Sequence, residues 1–429
     1  MEEQSVKYLI IGAGITGLSF ANQVKKDYLI IEKENEVGGY CKTIKKGDYI
    51  WDFAGHFFHF KTKEMKKKFV DYIGQENIIE QEKNTKIYYK GKLINYPFQT
   101  NIHELEKEEF IDCLYDLYNK EEKDNYDNFL DMLYGKFGKS IVEKFLKPYN
   151  EKLYACNLES LDKDAMGRFF PYANIKEIIN NMKENNNISY NNKFLYPKEG
   201  AQSFIDAIYK KLNKKDILLN TEIQEINENE KYVITNKNKK IKFEYLINTM
   251  PLNNFLKLFK NEEYNKLEKK LSYNQVLVFN LGFKNKSQYK EHWIYVPDKN
   301  INFYRVGFYD NILSSDKLSM YIEIGFGKND KIDIEEQLEK ALENLNKMGI
   351  TKENKLIEYS TIIMNPAYVH INNEHNVKIK EIMTNLNKNN IYSIGRYGAW
   401  TYCSMEDSMI DAIKLSKKFL ERGENNDIN

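Results

Sequence analysis

Three glycines and a glutamate near the start of the chain have the types and spacing that bind a dinucleotide. Gly12, Gly14 and Gly17 form a G-x-G-x-x-G motif after an apolar run, and Glu32 closes the next apolar run about 20 residues further on. The first glycine permits a tight turn, the second lets the backbone approach a pyrophosphate, and the third lets a helix pack closely on a strand. Glu32 can accept hydrogen bonds from a ribose diol. These residues predict a strand–helix–strand unit whose helix N-terminus faces the phosphates.

Residues near the other end of the chain could complete a flavin site. The stretch IYSIGRYGAWTYCSMEDSMIDAIK predicts a strand into Gly395, a turn, and a helix that begins near Ser404. Ser404 and Asp407 fit a capping box, in which each side chain satisfies a backbone N–H at the helix start. The free N–H groups and partial positive charge of such an end suit the N1/C2=O edge of an isoalloxazine ring. Gly38-Gly39 offers a second close backbone approach and favours FAD over NAD.

Composition limits the classes of function. With 429 residues we expect two domains, or one domain with a large insertion. A net charge of +1 gives no electrostatic case for nucleic acid. The four cysteines have no C-x-x-C spacing, so we expect no metal site, no disulfide framework and a cytoplasmic location. No run approaches the ~20 apolar residues of a membrane span, and the first strand follows the N-terminus without a targeting segment.

The elements that must hold these groups follow from the periodicity of the sequence. The pattern predicts an α/β fold: a Rossmann-like FAD-binding domain with inserted helical and antiparallel-sheet substrate domains. The FAD-binding domain is expected in three pieces, residues 1–60, 195–265 and 385–429. A helical substrate domain is expected at 61–194. A sheet-rich substrate domain is expected at 266–384, where QVLVFNLGF, HWIYV, FYRVGFY and LSMYIEIGF alternate as strands.

With both ends in view, most of the chain resembles the flavoprotein group of UDP-galactopyranose mutases, protoporphyrinogen oxidases and amine oxidases. Within this group it is most similar to the mutases. AGHFFHF resembles their Gly-Pro-His or Gly-Gly-His segment, and GRYGAWTY is close to their eukaryotic type. The segment HWIYVPDKNINFYRVGFYDN keeps the mutases' W-x-Y, short loop and F-Y-R. PYNEKLYACNLESL resembles their Y-x-x-K-x-W segment, with Tyr149 and Lys152 kept and Tyr154 in place of the tryptophan.

The resemblance implies roles for individual residues. The expected catalytic residues are His56, against the isoalloxazine, and Arg168 and Arg305, on the diphosphate of a UDP-sugar. Without the resemblance, Arg305 would be interpreted as a strand-end arginine in a surface ion pair, and His56 as a core histidine bonded to backbone. The expected substrate-binding residues are Tyr154, Asn191, Tyr295, Tyr368 and Tyr402. The expected cofactor-binding residues are Gly12, Gly14, Thr16, Gly17, Glu32, Lys33, Gly38, Gly39, Gly55, His56, Gly395, Arg396 and Met405.

The resemblance also implies a reaction, the interconversion of nucleotide-sugar pyranose and furanose forms, with UDP-galactopyranose and UDP-galactofuranose as the family default. Reduced FAD would attack the anomeric carbon through N5, form a flavin–sugar adduct and displace the nucleoside diphosphate without net redox change. NAD(P)H or another external donor would supply the reduced state. The expected partner is a nucleotide sugar of surface polysaccharide synthesis; neither nucleic acid nor a membrane span is expected, and an oligomer is left open.

Two alternatives share the flavin-binding ends. The first is an FAD-dependent oxidoreductase of the amine oxidase or protoporphyrinogen oxidase type, which shares the segment YLINTMPL. Such an enzyme would not require two arginines and several tyrosines aimed at a diphosphate, and its pocket should be largely apolar. The second is a non-catalytic flavin-binding protein, which would keep the fold and lose the substrate arginines. Both candidate arginines are present in this sequence.

Overall fold

The chain folds around two seven-stranded sheets. The computed structural model describes residues 2–184 and 192–426. In these residues the strands are, in chain order, β1 (Glu2–Ile11), β2 (Tyr28–Ile31), β3 (Thr43–Lys46), β4 (Tyr49–Asp52), β5 (Ile78–Glu82), β6 (Thr85–Tyr89), β7 (Lys92–Asn95), β8 (Lys193–Pro197), β9 (Ile217–Leu218), β10 (Ile223–Asn227), β11 (Tyr232–Thr235), β12 (Lys239–Asn248), β13 (Asn274–Phe283), β14 (Trp293–Tyr295), β15 (Arg305–Phe308), β16 (Ser319–Gly327), β17 (Leu356–Met364) and β18 (Ile391–Ser393).

The α-helices of the same residues surround these sheets. They are α1 (Ile15–Val24), α2 (Lys63–Ile73), α3 (Lys107–Tyr118), α4 (Phe129–Ile141), α5 (Lys147–Tyr154), α6 (Ile175–Glu184), α7 (Gln202–Tyr209), α8 (Leu252–Leu256), α9 (Glu262–Lys270), α10 (Tyr309–Leu313), α11 (Ile334–Lys347), α12 (Asn373–Lys388), α13 (Gly395–Gly398) and α14 (Met405–Asn426). A π-helical segment, Val142–Leu146, joins α4 to α5. Within residues 2–184 and 192–426, no helix combines the length and apolarity needed to cross a membrane.

The first sheet is the predicted Rossmann-like sheet, with strand order β10-β11-β12-β1-β2-β9 and β18 paired to the end of β12. β1 is parallel to β2 and to β12. Its residues Leu9 and Ile10 are fully buried, because α1, α7 and α14 pack on one face of the sheet and α8, α9 and α12 on the other. Parallel strands bring their carboxyl ends to one edge, so the glycine motif after β1 lies beside Glu32 after β2.

The second sheet has the strand order β17-β13-β16-β15-β14-β6-β7. The four strands predicted at 274–325 are confirmed as β13 to β16. β13 pairs antiparallel with β16, β16 with β15, and β15 with β14, so β13 and β14 are not neighbours in the sheet. All ten residues of β13 are buried, because α11 packs on one face of the sheet and residues of α4 and α5 pack on the other. The prediction of an α/β fold with a Rossmann-like sheet and a second, largely antiparallel sheet is therefore confirmed.

The range 61–194, predicted as helical, contains α2 to α6 and also strands β5 to β7. The hairpin of β6 and β7 turns on Lys90 and Gly91, which both have positive φ, and it extends the second sheet through parallel pairing of β6 with β14. The strands are short, four or five residues each, and their apolar alternation lies between stronger helical patterns. Pairing with a strand some 200 positions away decides their conformation, and local periodicity does not report such pairing.

Asp52, the last residue of β4, joins the two halves of the molecule. Its fully buried carboxylate accepts hydrogen bonds from Thr43 Oγ1 (2.6 Å), Tyr196 Oη (2.9 Å) and the Ala201 backbone N–H (3.0 Å). Its backbone carbonyl accepts from Asn280 Nδ2 at 3.0 Å. The hairpin β3–β4 is thereby tied to β8 and α7 on one side and to β13 on the other. This fixes the start of the segment Ala54–Phe60.

Asp52→Asn should remove a pH dependence from the free energy of unfolding. Burial raises the pKa of Asp52 to about 7, against ~4 for an exposed aspartate. Between these values the folded protein binds more protons than the unfolded chain, so the contribution of this group to stability falls as the pH rises. In urea unfolding, the wild type should lose about 2 kcal/mol more than Asp52→Asn between about pH 5 and about pH 7.

Asp48 is an exposed residue of the same hairpin and pairs with Lys317. It supplies a matched control. Its pKa is lowered by the hydrogen bond from Lys317, so Asp48→Asn should keep the wild-type pH dependence in this window. Equal pH dependence in wild type and Asp52→Asn would mean that the buried carboxylate stays charged throughout.

Candidate functional site

The glycine motif forms a cradle that fits a dinucleotide. Gly12 has φ +100°, a conformation that favours glycine, and a Cβ there would lie 2.5 Å from Thr249 Oγ1. The helix α1 begins after Gly14, and no side chain caps its N-terminus. A Cβ at Gly14 would meet no heavy atom within 4 Å. The first turn of α1 therefore presents uncapped N–H groups to open space, which is the arrangement that binds a pyrophosphate.

Glu32 is held in place for a ribose. Its side chain, 7% exposed, accepts hydrogen bonds from the backbone N–H groups of Ala13 at 2.7 Å and Glu34 at 3.0 Å. Since a carboxylate can accept about four hydrogen bonds, two positions remain for ribose hydroxyls. Gly38 and Gly39 follow with positive φ, and a Cβ at Gly39 would contact the Gly14 Cα at 3.5 Å. Lys33 is exposed beside Glu34 at the rim.

The far end of the chain closes this cradle. A Cβ at Gly395 would lie 2.5 Å from Thr16 Oγ1 of α1, so the two predicted halves of the flavin site touch. The predicted capping box is confirmed: the Ser404 N–H donates to Asp407 Oδ2 at 2.9 Å, and the Asp407 N–H donates to Ser404 Oγ at 3.1 Å. Met405, the first residue of α14, lies against Cys41, with 3.6 Å between the two sulfur atoms.

The segment Ala54–Phe60 lies between the cradle and the second sheet. Glu406 of α14 holds its C-terminal end, because its carboxylate accepts from the backbone N–H groups of Lys61 (2.9 Å) and Thr62 (3.0 Å). Burial lowers the pKa of His56 to about 4, so this imidazole is neutral at physiological pH. Its Nδ1 is buried and has no hydrogen-bond partner in the described part of the chain. A buried, unpartnered ring nitrogen is a group that a bound cofactor could satisfy.

A cavity of about 850 Å³ opens beside this segment. Of the residues predicted from the sequence, those that line it are Gly55, Arg168, Tyr295, Arg305, Tyr368, Tyr402 and Met405. Tyr154 lies behind the wall, 1% exposed, with its ring edge-on to Tyr368 at 6.0 Å. His56 lies between two lining residues, Gly55 and Phe57. Asn191 lies outside the described residues.

Arg305 forms a buried ion pair with Glu323, a partner that the sequence did not identify. Its Nε and Nη2 donate to the two carboxylate oxygens of Glu323 at 2.9 Å and 2.5 Å. The two side chains meet across neighbouring antiparallel strands, since Arg305 on β15 is in register with Glu323 on β16. Glu323 is 2% exposed and Arg305 19%. The strand-end ion pair expected without the resemblance is present, but it is buried and not at the surface. Glu323 fixes the orientation of the guanidinium, and Arg305 lines the cavity.

Arg168 is fixed in a comparable way. Its Nη2 donates to both carboxylate oxygens of Asp407, at 2.7 Å and 2.5 Å, and its guanidinium stacks on Phe169 at 4.4 Å. One carboxylate thus completes the capping box of α14 and anchors a predicted substrate arginine. The third arginine, Arg396, donates from Nη1 to the Cys403 carbonyl at 2.8 Å. Its guanidinium lies beneath the rings of Tyr368 and Tyr402.

Aromatic rings with hydroxyl groups form the wall between these arginines. Tyr368 stacks on Tyr402 at 5.8 Å. Tyr295 packs against Tyr96 at 4.9 Å and against Tyr149 at 5.2 Å. Tyr96 lines the cavity but was not predicted from the sequence; the motif YPF after a hairpin was the available signal. Burial raises the pKa of Tyr96 well above its ordinary value, so its hydroxyl remains a hydrogen-bond donor at physiological pH.

Lys152 holds the loop that separates Tyr295 from Arg305. Its ammonium donates to three carbonyls at the two ends of this loop, those of Val296 (2.8 Å), Asp298 (2.8 Å) and Phe303 (2.6 Å). Burial lowers the pKa of Lys152 to about 7. Lys152 does not line the cavity. It therefore acts on the site through the loop, which explains why α5 carries a lysine at this position.

No cluster in the described part of the chain brings three or more histidine, cysteine or acidic side chains together as metal ligands, and the four cysteines are free. The polar groups that line the cavity include arginines, tyrosines, the N-terminus of α14, Lys61, Lys83, Glu177 and Glu406. This set can bind and orient an anion next to a flavin. The Ser404 hydroxyl on this wall donates to Asp407 Oδ2 at 2.8 Å as part of the capping box.

Matches to known proteins agree with this geometry. Residues 15–410 match the family of flavin containing amine oxidoreductases, which indicates FAD as the cofactor. A UDP-galactopyranose mutase crystallised in the reduced state has the same fold, with a TM-score of 0.90 and 22% identity over 97% of this chain and 94% of that chain. A putrescine oxidase bound to putrescine has a TM-score of 0.67 and 11% identity over 98% of this chain and 100% of that chain.

Among curated proteins, the coproporphyrinogen III oxidase of Staphylococcus aureus (strain NCTC 8325 / PS 47) is 26% identical over 255 residues, 51% of this chain and 54% of that protein. The curated relatives are thus matched over about half of their length or less. At these identities the solved structures establish the fold. Mutases and oxidases share it.

Gly17→Ala and Gly14→Ala should separate folding from cofactor binding. A Cβ at Gly17 would overlap the carbonyl oxygen of Gly12, so Gly17→Ala should lower the free energy of unfolding of the FAD-free protein by about 2 kcal/mol or more. A Cβ at Gly14 meets open space, so Gly14→Ala should change this quantity by no more than about 1 kcal/mol. Its methyl group would nevertheless occupy the position of the pyrophosphate.

Urea unfolding of the FAD-free proteins and the flavin absorbance of the purified proteins measure the two effects. Gly14→Ala should unfold near the wild-type midpoint and retain little flavin. Full flavin content in Gly14→Ala would place the pyrophosphate elsewhere.

Proposed function

We propose that this chain, which belongs to the family of flavin containing amine oxidoreductases, is a flavin-dependent mutase that interconverts the pyranose and furanose forms of a nucleotide sugar. UDP-galactopyranose and UDP-galactofuranose are the first pair to test. The observation that carries the proposal is the cavity wall on which Arg168, Arg305 and the tyrosine hydroxyls converge beside the N-terminus of α14. The near-complete structural similarity to a UDP-galactopyranose mutase supports it.

The cavity residues suit a leaving group that must depart and return. Reduced FAD, when bound, supplies the nucleophile for the anomeric carbon. The protein must then hold the released diphosphate close to the sugar until the ring has closed in its other form. Arg305 can do this because Glu323 already fixes its orientation, so little side-chain freedom is lost on binding. The hydroxyl groups of Tyr295, Tyr368 and Tyr402 add neutral donors to the same wall.

The N-terminus of α14 has a second task. Residues Ser404 and Asp407 satisfy two of its N–H groups, and the other N–H groups of the first turn, with the partial positive charge of the helix, can stabilise an anionic reduced flavin. His56 is neutral and would add no charge on the other side of the ring. No side-chain base is required in this scheme, because reduced flavin is the nucleophile.

Oxidation of an amine or a porphyrinogen is the alternative that the shared fold allows. Its substrates require a largely apolar pocket, or in the case of amines a site that tolerates a cation. Here the wall carries two oriented guanidinium groups. Each guanidinium is paired with a carboxylate, so the wall offers oriented N–H donors. Such donors suit the oxygens of a diphosphate and give no acceptor for the N–H groups of an ammonium, and this favours an anionic substrate.

The reduced protein should convert UDP-galactofuranose to UDP-galactopyranose, and the oxidised protein should not. The physical reason is that only reduced flavin is nucleophilic, while the reaction has no net redox change. Purified protein is incubated with the nucleotide sugar with and without dithionite, and the products are resolved by chromatography. Oxygen uptake with an amine or a porphyrinogen, without conversion or binding of any nucleotide sugar, would refute the proposal.

Arg305→Lys should lower kcat/KM by about 100-fold or more and leave the flavin bound. Lysine keeps a positive charge opposite Glu323, whereas alanine would leave a carboxylate that is 2% exposed without its partner, at a cost of about 3–5 kcal/mol. The ammonium cannot bind Glu323 at two points and also present oriented N–H groups to a diphosphate.

Lys299→Met, in the loop that precedes Arg305, provides a matched control. Lys299 is exposed and pairs with Glu151, so this variant should turn over like the wild type. Wild-type kinetics in Arg305→Lys would remove the guanidinium from substrate binding, and loss of the flavin would assign Arg305 to the cofactor site.

A further inference from the structure

The two arginines on the cavity wall bring little net charge to a ligand. Arg168 is paired with Asp407 and Arg305 with Glu323. Each pair offers oriented N–H donors, yet its formal charge is zero. A nucleotide sugar carries two negative charges on its diphosphate, and moving them from water into a half-buried cavity is unfavourable unless cations neutralise them. Arg396 has no carboxylate partner in the described residues, but it packs against the rings of Tyr368 and Tyr402 and does not itself line the cavity. A further cation on the wall itself is therefore required.

Lys83 is a cation on this wall without an acidic partner. Its side chain is half-buried and lines the cavity, and its ammonium lies 5.3 Å from the ring centre of Tyr96. In the described part of the chain no carboxylate lies within ion-pair distance of it; the adjacent Glu82 is exposed and faces Lys193. Burial lowers the pKa of Lys83 to about 8, which reflects a charge that the protein itself does not stabilise.

Two tyrosine rings connect the position of Lys83 to that of Arg305. The Lys83 ammonium lies over Tyr96, Tyr96 packs on Tyr295 at 4.9 Å, and Tyr295 is in register with Arg305 across β14 and β15. A ligand that contacts the Arg305 fork and the Tyr295 ring therefore lies along the same wall as the ammonium. Among the described residues that line the cavity, Lys61 is the other cation without an acidic partner. It is exposed, so water screens its charge.

We propose that Lys83 is a substrate-binding residue that supplies net positive charge to the diphosphate of the nucleotide sugar. The inference rests on the proposed function and adds a residue that the sequence motifs do not contain. Arg168 and Arg305 orient the diphosphate through their N–H groups, and Lys83 offsets its charge. Binding of the dianion then restores the protonated state of Lys83.

The consequence is proton uptake on binding at about pH 8. With a pKa near 8, the free protein carries Lys83 about half protonated, and a bound dianion would raise the pKa and take up about half a proton. His59 and Tyr96 are titratable groups beside Lys83, and Glu177 and Lys61 line the same cavity. Burial lowers the pKa of His59 to about 4 and raises that of Tyr96 well above its ordinary value, so neither of these two titrates at this pH.

The test is isothermal titration of UDP-galactopyranose into the oxidised, FAD-containing protein at about pH 8, in two buffers of different ionisation enthalpy. The wild type should take up about half a proton. Lys83→Met should bind about 10–100-fold more weakly and take up none, because a charge-assisted contact is lost. Lys83→Arg should restore most of the affinity without proton uptake, since arginine stays protonated. Lys86→Met, three residues along and bonded to Asn95 outside the cavity, should match the wild type.

Uridine, which lacks the diphosphate, distinguishes the loss of the Lys83 charge from a change in the shape of the binding site. It should bind Lys83→Met and the wild type equally; weaker uridine binding together with no rescue by Lys83→Arg would overturn the assignment. Affinity and proton uptake of Lys83→Met equal to the wild type would also overturn it, and would leave the proposed function intact. A wild-type protein that binds no UDP-galactopyranose would instead refute the proposed function and this inference with it.

Discussion

The buried ion pair between Arg305 and Glu323 is the constraint on which the candidate site depends. A carboxylate that is 2% exposed requires a fixed cation, and the register of β15 with β16 places that cation at the cavity wall. Breaking such a pair from one side is costly, so the orientation of the guanidinium is a property of the folded sheet and not of a flexible side chain. Lys152 reinforces it by holding both ends of the preceding loop through three carbonyls. The wall is therefore preorganised before a ligand arrives, which is what catalysis by positioning requires.

Two further carboxylates connect this wall to the cofactor end. Asp407 completes the capping box of α14 and also holds Arg168, so one side chain sets both the helix N-terminus and an arginine that is proposed to bind substrate. Glu406, the residue before it, fixes the backbone after the segment that contains His56. In the proposed site, the first turn of α14 thus sets the spacing between flavin and ligand. A change in this turn would move Arg168 and the segment that contains His56 together.

Sequence patterns predicted what depends on neighbours along the chain. The glycine cradle, Glu32 and the capping box at Ser404 each require only local geometry, and the structure contains all three. Long-range pairing was not predictable in the same way. Glu323 reads as one polar residue in an alternating strand, and only the sheet register makes it the partner of Arg305. The hairpin of β6 and β7 was hidden within a helical stretch, and with it Lys83 and Tyr96, whose positions depend on a parallel contact with β14. The net charge of a cavity depends on residues from several strands and helices, so no single sequence motif predicts it.

The most direct test of this account is a crystal structure of the protein with FAD and UDP. The account predicts the flavin across the first turns of α1 and α14. It predicts the diphosphate within hydrogen-bond distance, ~2.7–3.2 Å, of the Arg305 guanidinium and the Tyr295 hydroxyl, with the Lys83 ammonium as its nearest cation that has no carboxylate partner. A diphosphate bound away from this wall, with Arg305 still satisfied by Glu323 alone, would contradict the central claim.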